Sequence, residues 1–148
     1  MIPENLNFAH FLPCAVLAIT DLVESITIPG RRFTCVPIHS DIPFEDQMMA
    51  FDASKNDEVK VVIATNAAES SLTLPEVDNV ICLGLCKQIV YNPASHRQML
   101  TPTWISKASA TQRAGRTGRV RPGTVYRMYA RESYVSHMEP FEKGEMLR

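Results

Sequence analysis

Eight consecutive residues carry the densest chemistry in this chain: Gln112-Arg113-Ala114-Gly115-Arg116-Thr117-Gly118-Arg119. Arginine recurs at every third position, with glycines at 115 and 118 between. At the end of a helix, Gln112, Arg116 and Arg119 would fall near one face, because positions i, i+4 and i+7 align. Arg113 would lie about 100° around from Gln112 and is expected to face the protein or a neighbouring acid. Gly115 and Gly118 allow close backbone approach and a sharp exit. Planar guanidiniums grouped this way suit a triphosphate, where they neutralise charge that develops during phosphoryl transfer. Gln112, Arg116 and Arg119 are therefore the candidate catalytic side chains, and Gly115 a candidate point of ligand approach.

Two further segments could meet phosphates. Ala64-Thr65-Asn66-Ala67-Ala68-Glu69-Ser70-Ser71-Leu72-Thr73-Leu74-Pro75 follows an apolar run and opens a helix, so its backbone N–H groups favour anions. Its small hydroxyl side chains can donate to phosphate oxygens. Ile38-His39-Ser40, with Gln47 to Phe51 downstream, places a serine after a strand and an aromatic ring at the end of a helix. Taken alone, Phe51 is equally a core residue.

Charge is unevenly spread. Net charge is −1 over 148 residues, with 21% charged and 45% hydrophobic. Between Ile38 and Asp78 the basic residues are Lys55 and Lys60, among many acids. From Asn79 to Arg131 there is no Asp or Glu, while Lys87, Arg97, Lys107, Arg113, Arg116, Arg119, Arg121, Arg127 and Arg131 all fall there. A basic segment this long points to a polyanion, nucleic acid or nucleotide. Its preference for Arg over Lys favours forked phosphate contacts over a merely solvated face. Composition excludes a disordered tail, a fibre and a small disulfide scaffold. No apolar run approaches the ~20 residues that span a bilayer, and no basic leader precedes an apolar stretch. Cys14, Cys35, Cys82 and Cys86 have no metal-ligand spacing and read as reduced, mostly buried thiols of an intracellular protein; no metal site is expected.

These residues need elements to hold them. Strands are expected at Phe8–Leu12, Phe33–Ile38, Val59–Ala64, Asn79–Leu83 and Thr124–Tyr129, by their apolar and β-branched content. Helices are expected at Val16–Ile26 (apolar face Val16, Ile19, Leu22, Val23, Ile26), Pro43–Phe51 and Ser106–Ala114. Alternation of this kind predicts one α/β domain over residues 1–148, with a mostly parallel sheet flanked by helices. Ligands in such sheets lie beyond the carboxyl ends of the strands, here the loops after Leu12, Ile38, Ala64 and Leu83. Lys87 to Thr101 breaks the alternation. It holds two extended runs around Asn92-Pro93-Ala94-Ser95-His96 and predicts a protruding β-hairpin, either a nucleic-acid element or a sheet extension packed on a neighbour.

The octet from Gln112 resembles motif VI, QRxGRxGR, of superfamily 2 helicases. The segment from Thr65 is similar to motif V of DEAH-box helicases, TNxAETSxT, with Ser70 for Thr and Pro75 where many members carry Asp. Phe11-Leu12-Pro13 resembles the start of motif IV, although Cys14 replaces its Gly. His39-Ser40 and Gln47 to Phe51 also have counterparts. Together the motifs resemble the second RecA-like domain of a DEAH-box RNA helicase, which implies a three-layer fold. The resemblance implies that Gln112, Arg116 and Arg119 serve ATP hydrolysis, and that Phe51, Ser71, Thr73 and Gly115 contact the nucleotide. It implies RNA contacts from Ser40, Thr65, Asn66, Lys87 and Arg97. The apolar stretch Ile81 to Pro93, with Asn66 to Ser71, resembles the Tudor-domain-containing helicases of spindle-E type. That subfamily implies germline piRNA silencing of transposons, with piRNA-pathway proteins as partners, in cytoplasmic, perinuclear granules and in the nucleus.

The chain contains no G-x-x-x-x-G-K-[ST] and no D-E-x-H. The phosphate-cradling loop and the Mg²⁺ carboxylate are therefore expected on a first RecA-like domain of the same larger protein, with a winged-helix domain downstream. Two functions fit the sequence. One is half of an ATPase motor that uses ATP with Mg²⁺ and acts on single-stranded RNA, without a membrane. The other is a non-catalytic RNA-binding or protein-docking module that keeps the fold.

Overall fold

The computed structural model describes residues 7–10, 13–52, 57–66, 74, 77–93 and 96–142. Five strands form the central sheet: β1 (Asn7–His10), β2 (Arg32–Ile38), β3 (Glu58–Ala64), β4 (Asn79–Cys82) and β7 (Thr124–Arg127), in the order β2-β3-β1-β4-β7. All neighbours are parallel. Register aligns Ile38 with Ala64, Ala64 with His10, His10 with Cys82 and Cys82 with Arg127. The strands therefore end level, and the loops that follow them leave from one edge.

Strand side chains alternate between the two faces of the sheet. On one face Val36, Ile38, Val62, Ala64 and Val80 cluster with Ala50, Leu74 and Val77, and Phe51 and Val125 pack against them. On the other, Val59, Val61 and Ile63 meet Val16 of α1 (Pro13–Ser25), with Ile19 and Val23 beside it. The result is the expected three-layer arrangement. Pro13 occupies the first helical turn, where its missing N–H costs nothing.

The buried stripe of α1 is narrower than its composition implies. Leu22 is 63% exposed, and Ile26 lies past the helix end at 45%. At about 100° per residue, Leu22 stands roughly 120° from Val16, on the flank of the helix. The expected helix at Pro43–Phe51 is instead one α turn, α2 (Phe44–Gln47), followed by a 3₁₀ turn at Met48–Phe51. Lys60 holds the end of that turn. Its ammonium, buried within β3, donates to the carbonyls of Met49, at 2.9 Å, and Asp52. Met49 O also accepts from Asp52 N at 3.3 Å, within the 3₁₀ turn.

The hairpin is present and longer than expected: β5 (Leu85–Asn92) pairs antiparallel with β6 (Arg97–Trp104). Its base closes where Ile105 N donates to Gly84 O at 3.0 Å. Gly84 has φ +76°, and a Cβ there would stand 2.6 Å from Tyr129 Cδ1, so only glycine fits. The chain runs from β6 through buried Ile105 and Ser106 into α3 (Lys107–Ala114). Ser106 Oγ accepts from Ser109 N at 3.0 Å, an N-cap. The N–H groups of Lys107 and Ala108 donate to Glu139 O and Pro140 O at 2.8 and 3.1 Å. Cys82, Cys86, Ile105, Ala110 and Met138 form a third cluster there, with Tyr129 and Tyr134 packed on it.

Other boundaries also differ from expectation. The last strand stops at Arg127, and a short helix, α4 (Arg131–Ser136), follows where none was foreseen. The fourth strand ends at Cys82, one residue early. The first runs Asn7–His10, and the expected continuation through Phe11 and Leu12 lies outside the described residues. No described helix is long and apolar enough to cross a membrane.

Candidate functional site

The carboxyl edge of the sheet gathers one set of candidates. Thr65 is buried, its N–H donating to Ile38 O at 3.1 Å, which ties the loop after β3 to the end of β2. Asn66 next to it is exposed. Ser40, two residues beyond β2, is exposed, and its Oγ donates to Asp41 Oδ1 at 3.3 Å. Asp41 N in turn donates to His39 Nδ1 at 3.2 Å, closing a local turn. Lys87, half-buried, lies near the hairpin base on the same side of the sheet, because β5 begins where β4 ends. Arg97 is exposed at the far end, paired with Asn92 across the tip. Ser71 and Thr73 lie outside the described residues.

The arginine segment is built differently from its expected helical face. α3 ends at Ala114 with Gly115 as its C-cap, so Gln112 is helical while Arg116 and Arg119 lie in the turn beyond. Gly118, at φ +78°, redirects the chain. Arg119 folds back, Nε donating to Gly115 O at 3.1 Å, and stays exposed. Arg116 is half-buried and Gln112 exposed. Arg116 and Arg119 are therefore placed by a hydrogen-bonded turn, not by helical periodicity from Gln112.

The turn is pinned to the residues that lead into β4. Thr117 Oγ1 donates to Val77 O and, at 3.1 Å, to Asp78 O. Arg121 Nε pairs with the buried Asp78 carboxylate. Thr124 N donates to Asp78 O at 2.8 Å. A Cβ on Gly123 would fall 1.7 Å from Thr117 Oγ1 and 2.6 Å from Asp78 O, so the close approach demands glycine. Gly115 is under no such demand: the nearest atoms to a Cβ there are carbonyl oxygens at 3.5 Å. Asp78 precedes β4, so the arginines sit toward the amino end of that strand. The loop rule that found Ser40, Thr65 and Asn66 does not reach them. Phe51 is half-buried against the cluster that contains Val77, on the sheet face the arginine turn adjoins.

Between the two ends stands Arg113. It is 1% exposed, and its Nη1 donates to Leu85 O, at the first residue of the hairpin, at 3.2 Å. The expectation that it faces the protein holds. The hairpin itself is cationic only near its base and at its tip. Ile89 opposes Leu100 and Val90 opposes Met99, leaving both faces of its middle apolar and exposed. Tyr91 Oη and His96 Nδ1 stand 2.9 Å apart at the tip, where His96 adopts φ +51°.

Among the described residues no group of three or more His, Cys, Asp or Glu could hold a metal ion. Cys35, Cys82 and Cys86 are free thiols. Burial, and then the charge of Glu24, pushes the Cys35 thiol up to about 11. Sequence reasoning missed Lys60, Thr117 and the Asp78–Arg121 pair as positioning groups. The signal for Lys60 was available: a lysine inside Val59-Lys60-Val61-Val62 needs a buried partner.

Known proteins share this fold and part of this sequence. A DExH-box NTPase of Escherichia coli, HrpB, has a crystal structure that superposes with a TM-score of 0.82 at 27% identity, over 95% of this chain and 17% of that one. The fold is thus RecA-like. "ATP-dependent RNA helicase dhx29" of Xenopus laevis is 43% identical over 80% of the chain, and "DExH-box ATP-dependent RNA helicase DExH1" of Arabidopsis thaliana 39% over 88%. The chain spans 9% and 14% of the length of those two relatives. Residues 14–121 match the family described as helicase conserved C-terminal domain, and they include β2, β3, β4, the hairpin and the whole arginine turn. This chain belongs to the helicase conserved C-terminal domain family.

Proposed function

We propose that the chain is the C-terminal motor half of an ATP-dependent DExH-box RNA helicase. The observation that carries this reading is the turn from Gly115 to Arg121, pinned through Thr117 and Arg121 to Val77 and Asp78. It fixes the backbone that carries Arg116 and Arg119, just past the helix that carries Gln112, without drawing on the carboxyl edge, which is left to the RNA. Arg116 and Arg119 neutralise charge on the transferring phosphoryl group, and Gln112 offers its amide to the attacking water. Phe51, Ser71, Thr73 and Gly115 line the nucleotide. Mg²⁺ would be held mostly by the first RecA-like domain and would supply neutralisation of phosphate charge. Ser40, Asn66, Lys87 and Arg97 hold single-stranded RNA by its backbone, while Thr65, buried and bonded to Ile38 O, fixes the loop that presents Asn66.

RNA-stimulated ATPase of the full-length protein tests this. Arg119→Ala is expected to lower kcat by roughly 10²–10⁴ while RNA affinity stays near wild type. A full-length protein that binds RNA but shows no ATPase would instead establish the non-catalytic module.

The finer reading is a helicase of spindle-E type in piRNA silencing, with piRNA-pathway partners and residence in perinuclear germ granules. Its support is the apolar Ile81-Cys82-Leu83-Gly84-Leu85-Cys86 stretch and Asn66 to Ser71. Loss of the protein would then raise transposon transcripts in the germline, and the tagged protein would sit in those granules. Unchanged transcripts would remove this assignment and leave the helicase reading standing.

A further inference from the structure

We propose that α3 is a connecting rod between the hairpin and the arginine turn, and that buried Arg113 is the positioning residue that makes it rigid. The proposal rests on the motor reading above. Both strands of the hairpin are fastened to α3. β6 is fastened covalently, through the two buried residues Ile105 and Ser106. β5 is fastened at its first residue, where the Arg113 guanidinium donates to Leu85 O at 3.2 Å, and Ile105 N to Gly84 O closes the base. One residue past Arg113, at Ala114, the helix ends, and the turn that carries Arg116 and Arg119 begins.

An eight-residue helix is about 12 Å long, close to the rise of a four-residue strand. α3 starts beside Gly84, at the carboxyl end of β4, and its far end leads to Thr117, bound to Val77 and Asp78 before the amino end of the same strand. It therefore runs the length of β4, from the edge where RNA would lie to the end where the arginines lie. A hairpin that tilts on its base must drag Leu85, and with it Arg113, or break a buried contact to a guanidinium. Arg113 touches neither ATP nor RNA. It transmits position, so that RNA on the hairpin improves the alignment of Arg116 and Arg119.

Arg113→Lys in the full-length protein tests this. It keeps the charge and loses the planar fork. ATP turnover is measured with and without a polyuridine single strand, beside a thermal melt. Coupling between two sites typically amounts to 5–150-fold. The stimulation ratio is expected to fall at least about fivefold, with turnover in the absence of RNA near wild type. Equal falls in both rates, or full stimulation retained, would overturn the proposal. A wild-type protein with no ATPase at all would overturn the motor reading, and this proposal with it.

Hydrogen exchange on the wild type guards against a variant that fails to fold. Polyuridine, without nucleotide, is expected to slow exchange across Leu85–Trp104 and Lys107–Ala114 together. Protection confined to the hairpin would show that α3 does not follow it.

Discussion

Gly115 and Gly123 lie eight positions apart and answer to different constraints. A methyl on Gly123 collides with Thr117 and with the Asp78 carbonyl, so Gly123→Ala is expected to destabilise the domain by about 1–3 kcal/mol, read from denaturant unfolding. A methyl on Gly115 meets only ordinary contacts, so Gly115→Ala is expected to melt with the wild type yet lower ATPase in the full-length protein. A melting temperature that falls for both would place the constraint on Gly115 inside the chain. Cys35 adds a pH dependence. Its folded pKa of about 11 exceeds the ordinary 9.0, so the folded state holds its proton more tightly than the unfolded one. Stability from this group is complete below pH 9 and is lost as pH rises through 11. Cys35→Ala is expected to flatten the alkaline fall in stability, measured by denaturant titration between those limits. At this scale the sequence was legible where type alone decides. Arg113 reads as inward because it is offset from Gln112, and it is buried. It was not legible where a distant backbone decides. Nothing in the octet shows that Thr117 would seek the carbonyls of Val77 and Asp78, about forty positions earlier.

Among the elements, the hairpin carries the sharpest expectation. Lys87 and Arg97 are its cations, with no acid on either strand. Lys87→Ala and Arg97→Ala should each weaken RNA binding modestly and reduce the salt slope of log K by about one unit. Binding titrations at several salt concentrations check this, and an unchanged slope would remove the residue from the phosphate path. The hairpin could be read from its turn-rich tip and from the break in strand–helix alternation, though not its full length, because Leu85, Cys86 and Thr103 look like any apolar connection. The helix after Ser106 was equally plain. The helix expected up to Phe51 was not, because apolar spacing does not tell one α turn followed by a 3₁₀ turn from a continuous α-helix. Leu22 misled for a related reason: hydrophobicity marks a candidate for burial, and only the sheet beneath decides how wide the buried stripe is.

At the scale of the whole molecule the two ends of the sheet divide the labour, with RNA candidates at the carboxyl edge and the arginines toward the amino end of β4. On the motor reading proposed above, the 148-residue chain by itself is expected to show no ATP turnover, because its arginines would act on a transition state that a lysine loop and a metal must first assemble. Its affinity for ATP should be weak, with Kd near ~1 mM by titration. Clear turnover by the purified chain would contradict the division of a motor into halves. The closure of the hairpin at Gly84 and Ile105 bears on how such proteins diversify. Both strands enter and leave at one hydrogen bond, so residues can be gained or lost beyond it without disturbing the sheet. Pairing survives only if both strands change together, and a single added pair turns the tip to the opposite side of the arm. Two added pairs restore its facing and extend it by about 7 Å. Across lineages the arm can therefore lengthen in double steps, while the motor behind it stays the same.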